Sequence, residues 1–388
     1  MASELHIHNK SDRPDNVVMK EVLIDEKSAA IERGLPNFMR GFFMYLKGSV
    51  LPMTRLAYLG DIRFFLKYLI DETDLTEAGR TGDIRQADLA RVRAVDVNIF
   101  LDYCRRYKVE NGKGVCVYRN DNKSLARKRS SLSVFFKYLY RDELAPKNIT
   151  DGFDPIRLPK AGDREIKRLD DDEVMVMLDA VESGKGLSKR ELTFWQRTRL
   201  RDRAILIMFV TYGLRLSELR ELNLSSFHFG RDEFKIFRKR GKEATLPLNN
   251  TAKRALHEYI DGERGSALEH AAVGTGLATG KSAGDASVDD DALFLSLRGT
   301  RLTERQIREL VKKYTGIALG TGRSAGYSPH KLRATTATSL IERGNSIFDV
   351  QELLNHDNIT TTQLYAAHRR NAKRELIGDM EWDENRGV

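Results

Sequence analysis

Apolar residues recur at helical spacing through most of the chain. In Thr54–Ile70 (TRLAYLGDIRFFLKYLI), Leu59, Ile62, Phe65, Leu66 and Leu69 fall on one face, with Thr54, Arg55 and Tyr58 on or beside the polar side of its start. In Asn122–Tyr140 (NKSLARKRSSLSVFFKYLY), Leu125, Leu132, Phe135, Phe136 and Leu139 do the same. There Lys123, Arg127, Lys128 and Arg129 crowd the first turns. The same pattern predicts helices over Val17–Gly34, Leu35–Lys47, Asp83–Cys104, Leu169–Glu182, Arg199–Gly213, Thr251–Ile260 and Thr303–Thr315. Asp170, Asp171 and Asp172 supply a cap and first-turn carboxylates to the Leu169 helix. Period-two alternation is confined to Glu233–Leu248, which flanks Lys239–Lys242 and predicts a hairpin with a basic turn. Leu293–Leu297 is a short strand candidate.

These elements group into two domains, the natural number for 388 residues. Pro146–Lys167 holds three of the eight prolines among glycine and charge, the composition of a linker. The expected layout is an arm and short helix over 1–34, a helical domain over 35–150, a linker over 151–168, a mixed domain over 169–370 and a tail over 371–388. Residues 264–291, rich in Gly, Ala and Ser, predict a flexible insertion. Its GTGLATGKS stretch imitates a phosphate-binding loop, but Thr275 stands where that motif requires glycine and no strand leads into it. Arg305, Arg308, Lys312 and Lys313 either reach phosphates or are merely solvated.

Composition narrows the function classes. A hydrophobic share of 41% supports a sizeable interior, yet no apolar run is long enough to span a bilayer. The first residues lack the apolar core of a secretory signal, so the expected location is the cytoplasm. Two cysteines, Cys104 and Cys116, build neither a disulfide framework nor a zinc site, and His6 with His8 are too few ligands for a metal. The net charge of +9 favours a polyanionic partner, though modestly for this length.

The candidate chemistry lies in the second half. Arg215 sits in TYGLRLSELREL, where an apolar run turns into an amphipathic helix. His330 and Arg333 lie three apart in YSPHKLRATT, hence on one helix face. His356 follows in a Leu-Leu-Asn-His segment, and Tyr365 comes nine positions later. Arginine offers a planar fork that matches phosphate oxygens. Histidine moves a proton near neutral pH, and a tyrosine hydroxyl can serve as nucleophile. Glu218 either holds the Arg215 helix or is an ordinary surface carboxylate. Singly each motif is weak; their joint order is informative.

In that order, Arg, Lys, His-x-x-Arg, His, Tyr, the chain resembles the tyrosine site-specific recombinases of the phage-integrase type, most of all their Xer branch. The likeness covers Leu35–Arg370. It implies a mostly α fold with a small β-sheet: an N-terminal helical core-binding (SAM-like) domain and a C-terminal α+β catalytic domain. Carried over residue by residue, Arg215, Arg333 and His356 would hold the phosphate, His330 would take the proton of Tyr365, and a lysine would protonate the leaving oxygen. The following Leu246-Pro247-Leu248 selects Lys239 for that role, with Lys242 as the alternative. The helical domain would grip DNA through Thr54, Arg55, Tyr58, Lys123, Arg127 and Lys128. The resemblance implies neither metal nor ATP. It also implies double-stranded DNA with a specific recombination site as partner and a homotetramer on two sites, one dimer per site. A DNA-translocating motor is a further candidate partner. The tail, with Leu376, Ile377, Met380 and Trp382, docks either on a neighbour or on its own subunit. Ala334 departs from the family, where many relatives carry histidine after the His-x-x-Arg arginine. Competing readings are a type IB topoisomerase-like relaxation and a DNA-binding protein without catalysis.

Overall fold

The computed structural model describes residues 9, 11, 13–112, 114–158, 167–238, 242–274 and 291–355. The chain divides into two compact units, Met1–Pro159 and Lys160–Val388. Lys239, His356, Tyr365, the 371–388 tail and most of the predicted insertion lie outside the described residues. Among the described residues no helix is long and apolar enough to cross a membrane.

The first unit is helical: α1 (Asp15–Glu32), α2 (Arg40–Ser49), α3 (Pro52–Glu72), α4 (Gln86–Ala90), α5 (Ala94–Tyr103) and α6 (Asn122–Arg141). Pro52 opens α3, where its missing N–H costs nothing. Asp121 caps α6 by accepting from the Ser124 N–H at 2.9 Å. The apolar stripes predicted for α3 and α6 are buried together with Phe42, Phe100 and Leu46. The segment expected as one helix over Asp83–Cys104 is two, because Arg91–Arg93 interrupts it and Asp96 restarts the chain by accepting from the Arg93 N–H. The predicted linker begins late: Ile149, Thr150 and Phe153 are buried in this core. A β-hairpin, β1 (Arg106–Asn111) with β2 (Gly114–Arg119), was not expected between the helices.

The second unit carries α7 (Asp171–Ser183), α8 (Lys189–Trp195), α9 (Arg199–Tyr212) and α10 (Leu216–Arg220). A three-stranded antiparallel sheet follows, β3 (Phe227–His228), β4 (Glu233–Phe237) and β5 (Glu243–Pro247), in that order. Then come α11 (Asn250–Tyr259), α12 (Gly265–Gly274), α13 (Glu304–Ala318), α14 (Pro329–Glu342) and α15 (Ile347–Leu354). The apolar α9 is the centre of the core, with Ala204 to Phe209 all buried against α7, α11, α13 and α14.

Two expectations change here. Leu293–Leu297 forms no strand; Ala292 and Leu295 make isolated bridges to Asn223 and Arg301. The supposed loop from Arg264 instead starts helical, through a π-turn over Ile260–Arg264 into α12. The buried Arg264 guanidinium donates to the Ala292 carbonyl at 2.9 Å, which anchors that turn.

Candidate active site

The site begins at the end of α9. Gly213 terminates the helix in the left-handed region, φ +57°, where a side chain would be strained. It also lets α15 approach, since a Cβ there would lie 2.6 Å from Leu354 Cδ2. The chain then turns through Leu214 to Arg215, the residue that caps α10. The Arg215 N–H donates to Glu218 Oε2 at 2.8 Å, and its guanidinium donates to Glu218 Oε1 at 2.7 Å. Glu218 is 4% exposed, so it holds the Arg215 helix and is no surface carboxylate.

Pro329 opens α14, which carries His330 in its first turn and Arg333 one turn later. Two buried threonines tie α14 into the unit: Thr335 Oγ1 accepts from the Leu169 N–H at 2.9 Å, and Thr336 Oγ1 donates to the Phe209 carbonyl of α9 at 3.1 Å. Arg333 is buried, donating to the Gly213 carbonyl at 2.7 Å and to the Leu354 carbonyl. His330 stays exposed at the mouth. Leu214, Arg215, Arg308, Ser328, His330 and Arg333 surround a cleft of about 370 Å³. A larger cleft of about 700 Å³, beside Trp195, Arg201 and Arg298, is lined by Arg305 and Lys313 but by none of the expected catalytic residues.

The C-terminus of α15 is the hub. Its last carbonyls have no partners within the helix and carry the negative end of the helix dipole. Arg215 donates to the Asn355 carbonyl at 2.7 Å, Arg333 to Leu354, and Arg238 to Leu353 at 2.7 Å. Burial pushes the Arg238 guanidinium below its ordinary value, with Arg215 adding to the effect and Glu218 opposing it. Arg238 was missed in the sequence; its only signal was its place beside Lys239. It ties the end of β4 to the end of α15. The structure thus brings together Arg215, His330 and Arg333, while Lys239, His356 and Tyr365 fall outside the described residues.

The expected DNA contacts of the first unit divide. Lys123 and Arg127 are exposed on α6, and Thr54 and Tyr58 are half-buried on α3. Arg55 and Lys128 are buried and pair inward, Arg55 with Asp25 at 3.0 Å and Lys128 with Asp61 at 3.1 Å. Their positions on the polar side of the periodicity concealed this. Each stem crosses apolar surface to reach a carboxylate. These two are corrected from surface cations to internal partners.

A cluster of guanidinium groups thus surrounds a helix end in a helical unit with a small antiparallel sheet. Residues 167–372 match the profile of the phage integrase family, and the chain belongs to that family, the tyrosine recombinases. Tyrosine recombinase XerC of Alcanivorax borkumensis is 35% identical over 243 residues, covering 63% of this chain and 68% of that protein. XerC of Syntrophus aciditrophicus is 29% identical and spans 84% of this chain and 90% of its own. XerD of Oceanobacillus iheyensis is 27% identical over 86% of this chain and 93% of its own. In fold, the chain is similar to the XerH recombinase bound to palindromic difH substrate after cleavage, with a TM-score of 0.57 at 18% identity, over 96% of this chain and 91% of that one.

Proposed function

We propose that this chain is a site-specific DNA recombinase that works through a covalent 3′-phosphotyrosine. The observation that supports this reading best is the convergence of Arg215, Arg333 and His330 on one cleft. Cleavage of a phosphodiester adds charge to its non-bridging oxygens, and fixed cations aimed at that charge lower the barrier. Arg215 and Arg333 would bind those oxygens, and His356 would donate to them. Tyr365 Oη attacks phosphorus and passes its proton to His330 as the bond to the 5′ oxygen breaks. Lys239 gives that oxygen a proton. A 5′-hydroxyl of a partner strand then attacks the phosphotyrosine, releases Tyr365 and rejoins the DNA through a Holliday junction. The bond energy is conserved throughout.

The same reading takes duplex DNA with a specific site as partner, four protomers on two sites and a cytoplasmic location. The relatives named XerC and XerD favour the Xer type of reaction, such as dimer resolution, over mobile-element integration. The decisive experiment uses nicked duplexes from DNA flanking the gene, which trap the intermediate. Wild type should give a slow-migrating adduct on a denaturing gel and Tyr365→Phe none. An adduct in both would move the nucleophile to another tyrosine. Tight binding with no adduct in either would favour a DNA-binding protein without catalysis.

A further inference from the structure

The hairpin of β1 and β2 has no part in the reaction above. Every residue of β2 is exposed, as are Arg106, Lys108, Val109 and Glu110 of β1. The register sets Tyr107 opposite Tyr118, Arg106 opposite Arg119 and Lys108 opposite Val117. Paired residues share a face of a ribbon, and neighbours along a strand alternate. The face with Tyr107 and Tyr118 looks to the body of the unit. The two rings stack at 5.2 Å, and Tyr107 rests on Phe64 of α3 at 5.0 Å. The face with Arg106, Lys108 and Arg119, together with Glu110, Val115 and Val117, therefore looks away.

That outer face is built against its own stability. Arg106 and Arg119 stand directly opposite each other, and like charges so placed repel. Among the described residues, none of Arg106, Lys108 and Arg119 has an ion-pair partner. Described residues 105–119 carry four basic side chains against one acidic, in a chain whose whole net charge is +9. Val115 and Val117 are 61% and 50% exposed beside these cations. A polyanion satisfies the charges, and the valines suit apolar groups such as base methyls.

We propose that this ribbon is an additional DNA-binding element, with Arg106, Lys108 and Arg119 on backbone phosphates and Val115 and Val117 toward base edges. A two-stranded ribbon fits the major groove of B-form DNA, which is about 12 Å wide. Arg119 lies four residues before the exposed Lys123 of α6, with Asp121, the cap of that helix, between them. This inference rests on the DNA reading given above.

The test measures binding of the full-length chain to a duplex of about 40 base pairs of arbitrary sequence, by anisotropy, across a salt series. Each phosphate contact contributes about 0.9 to the slope of log affinity against log salt. The triple variant R106A/K108A/R119A should lower that slope by about two to three and weaken binding roughly ten- to hundredfold near physiological salt. R106K/R119K keeps the charge and should keep the slope, which separates lost contacts from a damaged fold. Adduct formation by the triple variant at saturating nicked duplex should match wild type. An unchanged slope in the triple variant overturns the inference while leaving the recombinase reading intact. An unchanged slope with lost self-association in sedimentation would assign the ribbon to a second copy of the chain, and also overturns it. If wild type itself shows no salt-dependent binding, the DNA reading of the whole chain fails.

Discussion

Two clusters of basic side chains, one in each unit, are held by different means. In the first, Asp61 is buried between α3 and α6 and accepts from Arg127, Lys128 and Ser131, while Arg55 pairs with Asp25. Carboxylates cancel those charges. Around the end of α15 in the second unit, Arg238 donates to the Leu353 carbonyl and Arg333 to the Gly213 and Leu354 carbonyls, while Arg215 donates both to the Asn355 carbonyl and to Glu218. A carbonyl fixes a guanidinium in place without neutralising it. The first arrangement builds a core from charged residues; the second keeps positive charge available to an anion. The helix dipole of α15 offsets part of the mutual repulsion among the three arginines.

The largest effect that can break this comparison is on stability. Asp61→Ala leaves Lys128 buried without its partner, and losing one member of a buried pair costs about 3–5 kcal/mol. Urea unfolding followed by far-UV circular dichroism should show that loss. Emission from Trp195, in α8 of the other unit, should keep its midpoint. A cost under about 1 kcal/mol would mean that Asp61 does not organise the α3–α6 contact.

Next in size is the chemistry. Arg215→Lys keeps a charge but loses the fork that spans Glu218 and Asn355. The expected adduct rate falls about 10²–10³-fold, with little change in duplex affinity at fixed salt. A rate near wild type would leave Arg215 as a structural cap of α10. Arg238→Ala should have a smaller effect, about tenfold in adduct rate, because it releases the link between β4 and α15 and touches no reacting atom. An effect of Arg238→Ala equal to that of Arg215→Lys would erase the distinction between holding the phosphate and holding the frame.

The smallest effect near neutral pH concerns the cysteines of the first unit. Burial pushes the Cys104 thiol up to about 12, with Lys128 opposing and Asp61 adding to the shift. Its ionisation is favoured in the unfolded chain, so this group costs stability as pH rises from about 9 toward 12, by at most about 1.4 kcal/mol per pH unit. At pH 8 a thiol reagent should label the exposed Cys116 quickly and Cys104 only after denaturation. Two reactive thiols in the native chain would show that the core around Cys104 opens.

Periodicity was enough to find α3, α6, α9 and the β4–β5 hairpin, because each has a long stripe facing a core. It failed where elements are short or the cause lies elsewhere in the chain. The β1–β2 ribbon has little apolar face of its own and is anchored by the Tyr107–Phe64 contact, which joins residues far apart in sequence. Leu293–Leu297 had the composition of a strand and found no continuous partner. Arg55 and Lys128 read as surface cations because polar spacing reports the side of a helix, and only packing reveals the carboxylate waiting there.

Within the family order, the sequence by itself determined which residues could do phosphate chemistry. It also put His330 and Arg333 on one face, since helical spacing is local and Pro329 marks the start of that helix. Only the tertiary structure decided that Arg215, from the turn after α9, meets Arg333 from α14 at the end of α15, more than a hundred residues downstream. Gly213 permits that approach, and the unpaired carbonyls of α15 direct the guanidinium groups. Burial and the direction of a hydrogen bond depend on what the rest of the chain brings alongside, and no local pattern encodes them.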